Sequence, residues 1–206
     1  MSIPKIIHYC WFGDGPISPE SRKCMESWKK YCPDYKIMAW NEQNFDISAN
    51  RYAQQAYAAK KYAFVSDYAR LVVLYEYGGI YLDTDVELVR PLDELLEHKG
   101  FIGMEHSMPT PYGRTLLVNT GSGVGAEPGC EMIGKMLASY RNAAFVQETG
   151  EPDLRTCTQR DTPLFTKAGL QQKNEQQELD GFLVLPTDCF SPFDYVTERM
   201  QRTPRT

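Results

Sequence analysis

Two aspartates, Asp83 and Asp85, stand two residues apart at the end of an apolar run, in the stretch YLDTDVELVRP. Carboxylates this close repel each other and raise the pKa of one of them, unless a cation lies between them. Hard oxygen ligands of this kind suit Mg²⁺ or Mn²⁺, which keep several waters and bridge to substrate phosphates. The alternative is a solvated turn with capping aspartates, and the tripeptide alone does not decide between the two.

A second pair of charges, Asp67 and Arg70, comes earlier in the stretch SDYAR. Residues three apart share one face of a helix, so the two can pair with each other or with a polar ligand. Taken alone, they are more typical of an ion pair on a helix surface. Gly78 and Gly79 separate the two pairs of charges, and glycines there let the backbone turn sharply and approach a ligand closely.

The elements that must position these side chains alternate between strands and helices. Apolar runs predict strands at residues 5–11, 35–40, 80–83, 101–106 and 182–186, and one at 116–119 that breaks into a glycine-rich loop. Helical spacing and stop signals predict helices at residues 19–31, 93–100, 130–140 and 164–170, and two within 49–77 that meet near 64–66. This order predicts an α/β fold, in which ligands bind beyond the carboxyl ends of the strands.

Composition narrows the class of protein. The chain has 206 residues, 42% hydrophobic and 24% charged, which suits one domain with its own core. A net charge of −5 disfavours nucleic acid as a partner. No apolar run is long enough to span a bilayer and the first residues lack a signal-peptide pattern, so we expect a cytoplasmic protein. The six cysteines form no CxxC pair, which favours reduced, structural cysteines.

Three stretches of the sequence together resemble a known protein family: the block FVSDYARLVVLYEYGGIYLDTDVEL, IPKIIHYCWFG before it and LVNTGSGVGAEPG after it. They resemble bacterial glycosyltransferases of family 32, which are related to yeast initiating α-1,6-mannosyltransferases. The resemblance implies a GT-A fold, a Rossmann-like mixed sheet flanked by helices, in one catalytic domain over residues 1–206. Relatives continue past the segment that resembles PTDCFSPFDY, so we expect the chain to lack the family's C-terminal tail.

The resemblance also implies an activity and its partners. Such enzymes transfer a hexose, with retention at the anomeric carbon, from a nucleotide-sugar donor and use Mn²⁺ or Mg²⁺. The donor would be a UDP-sugar or GDP-mannose, and the acceptor a glycan or a lipid-linked sugar in capsular polysaccharide or lipopolysaccharide synthesis. Peripheral association with the inner membrane would follow from such an acceptor.

The matching motifs imply roles for individual residues of this chain. By resemblance, Asp85 ligates the metal directly, while Asp83 reaches the ribose or the donor sugar and touches the metal through water. Asp67 and Arg70 hydrogen-bond donor-sugar hydroxyls, and Arg70 also reaches a phosphate oxygen. Trp11 matches an aromatic residue that packs on the nucleobase, with a core tryptophan as the alternative.

Asn119 ends a strand just before TGSG, where its amide could reach the donor sugar or the acceptor. Gly121 and Gly123 have no side chains, so they would leave room for the ligand beside it. A glycine-rich phosphate cradle is a rival interpretation, but GSGVG lacks the Lys-Ser/Thr of a P-loop and the GxGxxG spacing of a dinucleotide site. His8 and His106 stand beside apolar residues, and each is expected to be a core histidine.

No well-placed nucleophile is evident in the matching motifs. Asp161 could be imagined as one, but its surroundings match the family poorly, as does Thr162-Pro163. We therefore favour a front-face mechanism, in which the leaving phosphate helps to deprotonate the acceptor. Two other functions stay open: an inactive domain that binds carbohydrate or nucleotide, and a metal-dependent phosphohydrolase, which would need further His or Asp ligands.

Overall fold

The computed structural model describes residues 3–206 as a mixed seven-stranded sheet with helices packed against it. The strands are β1 (Ile6–Cys10), β2 (Lys36–Trp40), β3 (Gly79–Tyr81), β4 (Gly100–His106), β5 (Leu116–Ala126), β6 (Gln177–Leu179), β7 (Phe182–Leu185), β8 (Phe193–Asp194) and β9 (Arg199–Met200). The α-helices are α1 (Pro19–Tyr31), α2 (Arg51–Ala58), α3 (Tyr62–Tyr77), α4 (Glu131–Ser139), α5 (Cys157–Lys167) and α6 (Thr187–Phe190). Two 3₁₀ turns lie at Ile47–Ala49 and Asp93–Leu95.

The order of strands in the large sheet is β2-β1-β3-β5-β4-β7-β6. Strand β1 runs parallel to β2 and β3, whereas β5 runs antiparallel to both β3 and β4, and β4 runs parallel to β7. The carboxyl ends of β1, β3, β4 and β7 therefore meet at one edge of the sheet, together with the amino end of β5. Strands β8 and β9 form a separate hairpin.

Helix α1 begins and ends where the sequence predicts. Ser18 caps it by accepting a hydrogen bond from the Ser21 amide, and Pro19 occupies the first turn, where its missing N–H costs nothing. Trp28 is fully buried on the inner face of this helix. The predicted α/β class, with a mixed sheet between helices, is confirmed.

Three helix predictions differ from the structure. The helix predicted at residues 93–100 was wrong, because this segment holds only the 3₁₀ turn at Asp93–Leu95 and Gly100 already begins β4. Helices α2 and α3 meet at residues 59–61, not near 64–66, because Lys60 adopts a positive φ of 56° and breaks the helix there. Helix α5 begins at Cys157 instead of Leu164, since Thr156 and Gln159 form a capping box. Pro163 lies inside this helix, where the sequence suggested its boundary.

The glycine-rich loop predicted after Asn119 was wrong, because residues 116–126 form one strand with a bulge. Pairing with β4 jumps from Ile102 opposite Val124 to Gly103 opposite Asn119, so residues 120–123 have no partner on that strand. A Cβ at Gly121 would run into the carboxylate of Asp83, and one at Gly123 into the ring of Phe190. These glycines therefore serve close packing, not a turn.

His8 is a core residue, as predicted. Its ring is fully buried, with Nε2 2.8 Å from the carbonyl oxygen of Gly78, while Trp40 Nε1 donates to Nδ1 at 3.0 Å. This fixes a neutral ring with its proton on Nε2, and burial lowers the pKa of His8 to about 4. Gly78 and Gly79 pack against Pro128 and His8, so they permit close approach of protein and not of a ligand.

Candidate active site

A cleft of about 650 Å³ opens at the edge of the sheet where the strands end. Its lining includes Asp83 and Asp85 after β3, Glu105 at the end of β4, and Asn119 and Gly121 on β5. Further lining comes from residues 86–98, from the loop before β5, and from much of residues 187–206, which include the β8–β9 hairpin. The structure thus brings three of the predicted site residues, Asp83, Asp85 and Asn119, to one cleft.

The loop that carries the two aspartates is held by its backbone. Trp28 Nε1 on α1 donates to the carbonyl of Val86 at 2.8 Å, and Ser27 Oγ accepts from the Leu88 amide at 2.8 Å. The Asp83 amide donates to the Gly121 carbonyl at 2.9 Å. Helix α1 and strand β5 therefore fix the loop and leave the carboxylates free for other partners.

The Asp67–Arg70 pair is buried, so the interpretation of it as a surface ion pair was wrong. Asp67 is 8% exposed and Arg70 is 3% exposed. Arg70 Nη2 lies 3.1 Å from Asp67 Oδ1, and Nη1 donates to Thr120 Oγ1 at 3.0 Å. Burial works against the charge of Arg70, but Asp83 and Asp67 nevertheless raise its pKa above the ordinary value. The guanidinium is a fixed positive charge behind the cleft, and neither residue lines the cleft itself.

The two aspartates at the cleft have different surroundings. Oδ1 of Asp83 receives hydrogen bonds from Arg70 Nη2 at 3.2 Å and from the Tyr81 hydroxyl at 2.9 Å, and its Oδ2 points at Gly121. Asp85 is exposed, and its carboxylate has no hydrogen-bond or ion-pair partner among residues 3–206. One carboxylate is thus oriented and the other is unengaged.

This donor set fits a cation that is shared with a substrate. Within the described residues, no group of three or more His, Cys, Asp or Glu side chains converges as a closed metal cage would require. Mg²⁺ and Mn²⁺ are commonly bound by one or two carboxylates with waters and phosphate oxygens completing the shell. Asp85 and the free oxygen of Asp83 meet that requirement.

Asn119 is fixed by a residue that sequence reasoning missed. Its Nδ2 donates to Glu105 Oε2 at 2.6 Å, and its Oδ1 accepts from the Gly121 amide at 2.7 Å. Burial raises the pKa of Glu105. The signal in the sequence was a carboxylate at the end of the apolar run FIGM, but only the pairing of β4 with β5 places it beside Asn119.

Trp11 follows β1 and lies outside the cleft lining. It is partly exposed, and its indole N–H donates to the Gly15 carbonyl at 2.7 Å. The buried tryptophans are Trp28 and Trp40, so the core alternative for Trp11 was wrong. A ring at this position is available to a ligand, and packing on a nucleobase stays a prediction.

The structure also shows where three other side chains from the sequence analysis lie relative to the cleft. Asp161 is 1% exposed on α5 and does not line the cleft, so it is not placed as a nucleophile. Thr162 Oγ1 accepts from the Val118 amide at 3.0 Å, which ties α5 to β5. His106 is half-buried and lines the cleft, so the expectation of a core histidine was wrong for it.

A mixed sheet with a buried Asp-Arg pair and two aspartates after the third strand defines a GT-A type fold. Residues 18–102 match the family model described as a glycosyltransferase sugar-binding region containing a DXD motif. The match includes both charged pairs and ends within β4, before Glu105 and Asn119. Across residues 3–206, no helix combines the length and the apolar character needed to cross a membrane.

Curated relatives come from the fission yeast Schizosaccharomyces pombe. The chain is 32% identical over 112 residues to inositol phosphoceramide mannosyltransferase 3 and 30% identical over 111 residues to inositol phosphoceramide mannosyltransferase 1. These matches cover 49% and 48% of the chain, but only 29% and 33% of the relatives. The chain thus matches about a third of the length of these proteins.

A solved structure has the same fold. The PaToxG glycosyltransferase superposes with a TM-score of 0.55 at 24% identity, over 82% of this chain and 72% of that protein. The fold comparison therefore supports the GT-A type of sheet, and the family model alone identifies the DXD region within residues 18–102.

Proposed function

We propose that the chain is a metal-dependent, retaining glycosyltransferase that moves a hexose from a UDP-sugar or GDP-mannose to a glycan or lipid-linked sugar acceptor. The observation that carries this proposal is the pair Asp83 and Asp85 at the cleft. Arg70 and Tyr81 orient the first carboxylate, and the second is unengaged. A solvated capping turn would not need a buried arginine behind it.

Asp85 and Oδ2 of Asp83 would hold Mn²⁺ or Mg²⁺ together with the donor diphosphate. When bound, the cation offsets the negative charge that develops on the leaving nucleoside diphosphate. Arg70 stays charged through the reaction because it is buried between Asp67 and Asp83. It therefore keeps the Asp83 carboxylate oriented and adds a fixed positive charge near the donor. Trp11 would pack on the nucleobase.

In the transfer, the bond between the anomeric carbon and the diphosphate oxygen breaks and a bond to the acceptor oxygen forms. The acceptor proton passes to the leaving phosphate in the front-face course. The burial of Asp161 away from the cleft supports this course over one in which that residue forms a covalent intermediate. Asn119, fixed by Glu105, is positioned to hydrogen-bond the donor sugar or the acceptor.

The acceptor and the setting are part of the same proposal. The names of the yeast relatives favour mannose as the sugar and a lipid-borne acceptor. The family resemblance favours a bacterial surface glycan, such as a capsular polysaccharide or lipopolysaccharide. In either setting we place the reaction at the cytoplasmic face of a membrane.

Calorimetry with UDP and GDP, each with and without Mn²⁺, tests the metal site. We expect Mn²⁺-dependent binding that Asp85→Asn abolishes while the melting temperature is kept, because this side chain is exposed and its loop is held by backbone contacts. Glu97→Gln, another exposed carboxylate, is the control. Unchanged affinity of Asp85→Asn with Mn²⁺ would remove this residue from the metal site.

Donor turnover tests the activity. We expect hydrolysis or transfer from one member of a panel of UDP-hexoses and GDP-mannose in the presence of Mn²⁺. Metal-dependent nucleotide binding without turnover of any donor would favour the inactive binding domain instead. Release of phosphate from simple phosphate esters would favour the phosphohydrolase.

A further inference from the structure

The cleft is partly lined by residues that the donor site does not use. They lie on the loop at residues 107–115, on the β8–β9 hairpin, and at the end of β4, where Glu105 and His106 stand. Asn119 donates to Glu105, and a Cβ on Gly121 would meet both Asn119 Oδ1 and the Asp83 carboxylate, so Glu105 lies near the aspartates that follow β3. This part of the cleft therefore adjoins the proposed diphosphate site.

Glu105 presents an unengaged oxygen to this space. Its Oε2 accepts the hydrogen bond from Asn119 Nδ2 at 2.6 Å, and no group within residues 3–206 bonds to its Oε1. The side chain lines the cleft, and burial raises its pKa. A half-buried carboxylate with one oriented and one free oxygen is a strong acceptor for a hydroxyl group.

Two aromatic rings form a corner at the β8–β9 hairpin. Phe193 and Tyr195 pack edge to face, with their ring centroids 5.0 Å apart and their planes at 86°. Both line the cleft, yet Tyr195 is 80% exposed. Exposed aromatic faces suit a partner with one apolar and one polar side, and the C–H face of a pyranose ring has that character.

Arg114 joins the β8–β9 hairpin to the loop at residues 107–115. Its Nη1 donates to Asp194 Oδ2 at 2.8 Å, and its Nε donates to the Ser107 carbonyl at 2.9 Å. Asp194 lies between the two aromatic residues in sequence, and its pKa is held well below the ordinary value, first by Arg114. The aromatic corner is therefore anchored to the loop that follows Glu105.

We propose that Glu105 and the Phe193–Tyr195 corner form the acceptor subsite, which takes a pyranose ring of a carbohydrate acceptor. The ring packs on Tyr195, and its reacting hydroxyl donates to Glu105 Oε1. Glu105 orients the hydroxyl and forms no bond to the sugar. This inference rests on the proposed glycosyl transfer.

The experiment compares donor hydrolysis with transfer to methyl α-mannopyranoside, methyl α-glucopyranoside and methyl α-galactopyranoside. We expect Tyr195→Ala to raise the acceptor KM about tenfold and Glu105→Ala to reduce transfer about 10- to 100-fold, the worth of a hydrogen bond to a charged group. Donor hydrolysis should change less than about twofold in Tyr195→Ala, since hydrolysis needs no sugar acceptor. Tyr112→Ala removes a fully exposed tyrosine of the 107–115 loop that does not line the cleft, so it should behave as wild type.

Glu105→Gln removes the carboxylate but keeps the hydrogen bond to Asn119, because an amide oxygen still accepts it. Transfer by this variant should lie between that of wild type and that of Glu105→Ala. A wild type that neither hydrolyses nor transfers from any donor overturns the proposed function. If the wild type hydrolyses donor, three results would overturn the acceptor subsite. They are wild-type acceptor kinetics in the Glu105 and Tyr195 variants, no transfer to any of the three glycosides, and a sugar bound covalently to Glu105.

Discussion

Arg70 lies behind Asp83, with its Nη2 3.2 Å from the carboxylate oxygen Oδ1. The arginine is 3% exposed, while the Asp83 side chain is 39% exposed, so a buried cation orients a carboxylate that faces the cleft. The same Nη2 contacts Asp67 Oδ1 at 3.1 Å. One guanidinium thus joins helix α3 to the end of strand β3.

Arg70→Ala should therefore cost stability as well as transfer. It leaves Asp67 buried without its cationic partner, and removal of one partner of a buried ion pair costs about 3–5 kcal/mol. Urea denaturation measures the loss, with Arg141→Ala, at an exposed position just after α4, as the control. Equal stability of the two variants would contradict the buried pair as described.

Gly121→Ala should impair Mn²⁺-dependent nucleotide binding. The added methyl group would fall on the Asp83 carboxylate and close to Asn119, so at least one of the two must move. Calorimetry should show weaker binding of the nucleoside diphosphate by about tenfold or more, an effect of about 1.4 kcal/mol. Gly15→Ala, whose Cβ meets nothing within 4 Å, is the matched control. Normal affinity in Gly121→Ala would mean that the position of Asp83 is not critical.

Trp11→Ala should weaken nucleotide binding and spare the fold. Loss of stacking on a base costs about 1–3 kcal/mol of binding free energy. The ring is partly exposed, so the melting temperature should change little. Trp28→Ala provides the contrast, because truncation of a fully buried aromatic side chain costs about 3–5 kcal/mol of folding stability. A Trp11 variant with unchanged nucleotide affinity would exclude stacking.

Asp161→Asn should change how stability depends on pH. Burial, with the charge of Asp67, raises the pKa of Asp161 from 3.8 to about 8. The folded chain then keeps a proton that the unfolded chain loses near pH 4, so this residue makes stability fall as pH rises between about 4 and 8. The amide variant does not titrate and should lose less stability between pH 5 and pH 8.

Denaturation curves at those two pH values check this effect. Asp14→Asn, at an exposed position, should keep the wild-type dependence. Parallel behaviour of the Asp161 variant and wild type would show that Asp161 is ionised in the folded chain.

Local signals explain what the sequence could predict. Helical spacing and a stop signal gave helix α1 its bounds, and the apolar run before Asp83 placed the aspartates at a strand end. The burial of Arg70 had no such signal, since its partner Thr120 is 50 residues away and reaches it only through the sheet. Glu105 was missed for the same reason, because its pairing with Asn119 depends on two strands meeting in one register.

Strands β2 and β6 form the two edges of the large sheet, and both discourage pairing with another chain. Strand β2 begins with the exposed Lys36, and the carbonyl of Ala39 within it already accepts a hydrogen bond from Asn44 Nδ2 at 2.8 Å. Strand β6 has only three residues and exposes Glu178 at its centre. Short edges with charged side chains resist edge-to-edge aggregation. A chain at high concentration should accordingly not assemble by extending this sheet from one copy to the next.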